Sequence, residues 1–184
     1  MLAMPYIVLN DCIAINEIVA LVRVAARRLA EPAFLALSSR HMNRSLFTPG
    51  AVFRLGPRRV LESEVLEFGR RFDPQPFHTD PELAARTRWG GVIASGWHTC
   101  SMAMEMVAHG LLEGSGGQGS PGVDELRWEQ PVRPGDELSL VVTVLESAPS
   151  SSGRYHVVNW RWEMFNAQGT RVLHLRAATL FPPG

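Results

Sequence analysis

The chain has 184 residues, 46% of them hydrophobic and 20% charged, which suits one globular domain with a real core and excludes a disordered or fibrous chain. Its 18 basic and 18 acidic residues cancel, and the pI is near 7, so there is no electrostatic footprint for nucleic acid or an anionic membrane surface. All 18 basic residues are arginine, a mark of a GC-rich genome before it is a mark of function.

Cys12 and Cys100 stand far apart, and Cys100 falls in an apolar helical stretch, so a disulfide framework is not expected. The N-terminus has no basic segment ahead of an apolar core, and Glu17, Arg23, Arg27 and Arg28 interrupt every stretch long enough to span a bilayer. The expectation is a cytoplasmic protein without membrane association.

Residues 1–45 read as an N-terminal extension. "INEIVALVRVAARRLAEPAFLAL" has a patchy helical period, then the polar "SSRHMNRS". A docking helix and a start site called too far upstream, with Met42 as the first residue, explain it equally. From residue 46 to 184 the patterning is that of one domain.

"AVFRLGPRRV" predicts a short strand, a turn and a second extended piece. Leu61, Val65, Phe68 and Phe72 then recur at spacings of four, three and four, which predicts one apolar helical stripe with Ser63 as cap. That helix delivers Asp73 at its exit, where Pro74 prevents continuation. Asp80 before Pro81 is an N-cap with proline at the first helical position, opening the short helix "PELAART".

After the glycine-punctuated "WGGVIASG", the stretch "WHTCSMAMEMVAHGLL" is apolar on nearly every side, so it is expected to be a helix wrapped by other structure, stopped at Gly110. Beyond the flexible loop "EGSGGQGSPG" the period becomes two. Strands are predicted in "VDELRWEQ", "DELSLVVTVLE", "RYHVVNWRWEMFN" and "TRVLHLRAATLF", separated by turn sequences. The fold class is α+β, an antiparallel sheet of about five strands curled around a long central helix.

Asp73 and His78 enclose four residues, two of them proline, in "DPQPFH". A stiff backbone holds carboxylate and imidazole at fixed separation, and such a pair can orient a water and pass its protons. A turn cap at Asp73 and a backbone hydrogen bond from His78 explain the same spacing without chemistry. A metal site built on His78 and Asp80 is weaker, since Asp80 already has a capping role. In "ASGWHT", a helix opening at Gly96 leaves backbone N–H groups unpaired at its positive end, a site for a developing oxyanion. Gly96 as a packing glycine is the simpler explanation of that loop alone.

Together, "FDPQPFHTDPELAARTRWGGVIASGWHT" and "SPGVDELRWEQPVRPGDEL" resemble the MaoC-like dehydratases, relatives of the (R)-specific enoyl-CoA hydratases with the hotdog fold. The resemblance covers most of residues 46–184. It implies that Asp73, His78 and Gly96 are the catalytic positions, with Gln75, Ser95 and Trp97 beside them as substrate-binding positions. Gln75 stands where those hydratases usually have asparagine, and Ser95 where they have histidine. The implied reaction is reversible hydration of a 2-enoyl thioester carried by CoA or an acyl carrier, without metal or redox cofactor. A homodimer is the implied assembly, which also protects sheet edges.

Two alternatives stay open. A hotdog thioesterase or acyl-carrier-type dehydratase would use Glu105, the only carboxylate on the central helix; a non-catalytic subunit would bind acyl thioesters with a vestigial motif. His98 is expected to be a polar residue at a helix end and His109 to suit the helix dipole. Trp128, Trp160 and Trp162 are expected in sheet packing. Arg127, Arg133 and Arg161 are candidates for the phosphates of a CoA-like carrier.

Overall fold

The computed structural model describes residues 44–183. Most of the expected N-terminal extension, with Met42 and Cys12, therefore lies outside the described residues.

The order of elements is β1 (Val52–Arg59), α1 (Glu62–Phe72), α2 (Pro76–Thr79), α3 (Pro81–Ala85), α4 (Gly96–Val107), β2 (Val123–Trp128), β3 (Glu137–Pro149), β4 (His156–Phe165) and β5 (Arg171–Phe181). The five strands form one antiparallel sheet in the order β1-β3-β4-β5-β2. β3 to β5 follow from the period of two. Leu138, Leu140, Val142 and Val144 of β3 and Val158, Trp160, Trp162 and Met164 of β4 turn inward and are buried. The register sets Val142 opposite Trp162 and Trp162 opposite Leu175, so one apolar row crosses three strands.

α4 packs into the curl through Met102, Ala103, Met106 and Val107, all buried. Among the described residues nothing covers its opposite face, contrary to the expectation from its composition: Trp97 is 59% and Met104 42% exposed. Nor does the helix stop at Gly110. The chain continues through a π turn, Ala108–Leu112, and a Cβ at Gly110 would lie 2.6 Å from the Leu55 side chain, so this glycine serves packing. The turn ends at Glu113, followed by Gly114 with φ of +71°.

Three local expectations change. β1 is one strand whose register shifts between Leu55 and Arg58; Gly56 sits in that irregularity with φ of +101°, where a Cβ would come within 2.8 Å of the Leu138 carbonyl. The cap position of α1 belongs to Leu61, without a side-chain bond, and Ser63 lies inside the helix. The glycine-rich loop before β2 is tied down, since Gln118 N–H donates to the Leu180 carbonyl and Gly119 pairs with Leu180.

Candidate active site

α1 delivers Asp73 where the helix stops: Asp73 is the C-cap, its N–H bonded to the Gly69 carbonyl. Pro76 then opens α2, which carries His78. The two pieces are pressed together at Gly69, where a Cβ would lie 2.5 Å from the His78 carbonyl oxygen. Gly69 was not singled out in the sequence, because a glycine inside a helical stripe shows nothing of what approaches it.

This packing brings His78 Nε2 to 3.3 Å from Asp73 Oδ2. The imidazole is only 5% exposed, and its Nδ1 lies 2.8 Å from the Ile93 carbonyl. A carbonyl only accepts, so Nδ1 carries a proton and Nε2 is the ring nitrogen turned toward Asp73. Ile93 thus sets the tautomer, a role no sequence spacing encodes. Phe77 packs edge-on against the same ring at 4.5 Å.

The carboxylate is held equally firmly. Gln75 Nε2 donates to Asp73 Oδ1 at 2.8 Å, and Ser95 Oγ donates to Asp73 Oδ2 at 2.7 Å. Burial by itself raises the Asp73 pKa, but the hydrogen bonds from Gln75 and Ser95, together with the positive charge of the His78 ring when it is protonated, outweigh it and hold the carboxyl below its usual range. Ser95 also caps α4 by accepting the Trp97 N–H at 3.3 Å. Gln75 and Ser95 therefore direct their polar atoms at Asp73.

His78 and Gly96 line one cavity of about 340 Å³, together with Phe77, Trp89, Thr99 and Trp128. Gly96 is the first residue of α4, and no acceptor for its N–H is found among the described residues. On its Cα side the close neighbour is Trp128, since a Cβ at Gly96 would lie 2.5 Å from that ring. Trp128, expected in sheet packing, is instead 47% exposed, with Trp97 edge-on against it at 5.4 Å. Trp160 and Trp162 are core residues as expected.

The other candidates lie apart. Glu105 is nine residues beyond Gly96, about 13 Å along the helix axis, and is bound to Arg58 Nε at 2.7 Å. His98 lies in the first turn of α4, as expected, and is buried there: it is 6% exposed and stacks on Phe68 at 4.8 Å. His109 is exposed, 3.9 Å from Glu113. Arg127 pairs with Glu125 and Arg161 with Glu163, while Arg133 donates to the Trp89 carbonyl at the cavity's rim. Among the described residues no helix is long and apolar enough to cross a membrane.

Comparison with known proteins agrees with this architecture. The family described as "MaoC like domain" matches residues 45–159. The MaoC-like dehydratase from Rhodospirillum rubrum is 35% identical, with a TM-score of 0.68 over 74% of this chain and 94% of that one. The R-hydratase PhaJ1 from Pseudomonas aeruginosa is 26% identical, with a TM-score of 0.62 over 74% and 83% of the two chains. The uncharacterized protein YdeM of Bacillus subtilis is 32% identical over 103 residues, 56% of this chain and 73% of YdeM. The sheet, the central helix and these matches together make the chain a member of the MaoC-like dehydratase family, with the hotdog fold.

Proposed function

We propose that the protein catalyses reversible hydration of a 2-enoyl thioester, and equally dehydration of the 3-hydroxyacyl thioester. The observation that carries this reading is the approach of His78 Nε2 to Asp73 Oδ2, 3.3 Å apart, with His78 lining a cavity that Gly96, the first residue of α4, also lines.

Two acceptors at that separation can take both hydrogens of one water, leaving its oxygen lone pair free to attack the β carbon. As the carbon–oxygen bond forms, the alkene pair moves into the thioester, and charge collects on its oxygen. The Gly96 N–H, at the positive end of α4, meets that oxyanion. The proton lost by the water passes to the Asp73–His78 pair, and the pair delivers a proton to the α carbon as the carbonyl reforms. An oxyanion bond of this kind is worth about 3 kcal/mol in the transition state. No redox equivalent is consumed.

The same reading makes the protein a homodimer. β2 is an edge strand that exposes Val123 and Trp128, and α4 exposes Trp97 and Met104 beside it, an apolar surface suited to a second copy.

The test is loss of conjugated-thioester absorbance with trans-2-enoyl-CoA substrates, run alongside a free-thiol readout. Hydration removes absorbance without releasing thiol, and Asp73→Asn and His78→Ala should each lower turnover by about 10²–10⁴-fold while melting cooperatively. Full activity in both variants would refute the assignment. Thiol release lost in Glu105→Ala would point to a thioesterase, and tight binding without turnover to a non-catalytic subunit.

A further inference from the structure

A second cavity, of about 380 Å³, lies along the same helix. Cys100 and Met104 line it from α4, Val123 from β2, and Leu175 and Ala177 from β5. It shares no lining residue with the cavity beside His78, yet Gly96, Cys100 and Met104 are spaced by four and form one stripe on α4. A chain leaving the thioester site along that stripe would pass directly from one cavity into the other.

Trp128 stands at the crossing. It lines the first cavity, covers Gly96 and meets Trp97 edge-on, one helical turn before Cys100 of the second cavity. An indole held against two residues of the first turn of one helix is placed as a partition rather than as surface decoration.

We propose that Trp128 is the specificity-determining residue of the site: its indole closes the His78 cavity from the apolar cavity beyond, so that the protein selects short acyl groups. This rests on the hydratase reading and names its substrate class. Removing the indole joins the two spaces and admits a longer apolar tail along Cys100 and Met104.

The experiment measures kcat/KM for butenoyl-, hexenoyl-, octenoyl- and decenoyl-CoA with wild type, Trp128→Ala and Trp128→Leu, the second variant covering failure of the first to fold. Melting temperature and solution mass are matched among the proteins compared. The long-to-short ratio of kcat/KM should rise at least about tenfold in the variants, the scale expected for opening an apolar pocket. Adding Met104→Trp, which refills the second cavity, should return the ratio toward wild type.

An unchanged ratio overturns the proposal. So does a gain that Met104→Trp leaves intact, because the tail then lies elsewhere. If wild type turns over none of the substrates, the hydratase reading fails, and saturated acyl-CoA thioesters of the same lengths, titrated calorimetrically, decide the partition: tighter binding of the long chains in the Trp128 variants supports it, and parallel affinities refute it.

Discussion

His78 Nε2 and Asp73 Oδ2 face each other at 3.3 Å with every other polar atom of the pair already engaged. Nδ1 donates to Ile93, while Gln75 and Ser95 donate to the carboxylate. The pair is therefore preorganised, and its remaining capacity is directed at one incoming group.

The two donors also set when Asp73 takes up a proton. Asp73 is depressed in the fold, so its ionised form persists to lower pH than in the unfolded chain, and its contribution to stability is lost as pH falls through the folded value. Gln75→Leu with Ser95→Ala removes both bonds, and the acid limb of the kcat/KM profile should move to higher pH. A pH–rate series on the double variant checks this. An unmoved limb would mean that another group controls acid inactivation.

Gly69→Ala tests how the dyad is positioned. The new methyl would collide with the His78 carbonyl, which is backbone and cannot swing aside, so the variant should lose about 1–3 kcal/mol of stability. At a temperature where it remains folded, kcat should fall at least about tenfold, because a displacement of about 1 Å at a catalytic group is costly. Urea unfolding and steady-state kinetics on the same preparation separate the two effects.

Gly96→Ala by itself does not report on an oxyanion site, since the methyl would meet the Trp128 ring. Alanine keeps the backbone N–H. In a Trp128→Ala background the clash is gone, so adding Gly96→Ala should cost less than about tenfold in kcat if the N–H is what matters, against an oxyanion donor's worth of about 10²–10³. A kinetic double-mutant cycle measures this coupling.

His98 gives the fold an acid sensitivity separate from catalysis. Burial first, and then the positive charge of Arg58 on β1, push its pKa down, opposed by Glu64 on α1 and Glu105 on its own helix. With the folded pKa below the unfolded one, the unfolded chain takes the proton first, so stability falls as pH drops below about 6.5, by at most about 1.4 kcal/mol per pH unit. His98→Leu should flatten the melting temperature between pH 5 and 7, as read by calorimetry.

Val123→Arg places a charge on the exposed edge strand β2. If two copies meet there, the variant should be monomeric by light scattering where wild type is dimeric. Retention of the dimer would place the interface on another face.

Much of this architecture is legible in one dimension because it rests on local chemistry. The period of two in β3, β4 and β5, the Asp80–Pro81 helix start and the stop imposed by Pro74 depend on neighbours within a few residues. The spacing of Asp73 and His78 likewise sufficed to mark a stiff pair. What makes the pair a site was decided by contacts between distant segments. The Ile93 carbonyl sets the His78 tautomer across 15 residues, Ser95 reaches Asp73 across 22, and Gly69 admits the His78 backbone. Trp128 closes over Gly96 only because β2 is brought against the start of α4. The exposed face of α4, too, could not be read from its apolar composition, since composition shows what a helix can bury and only packing determines which face is covered.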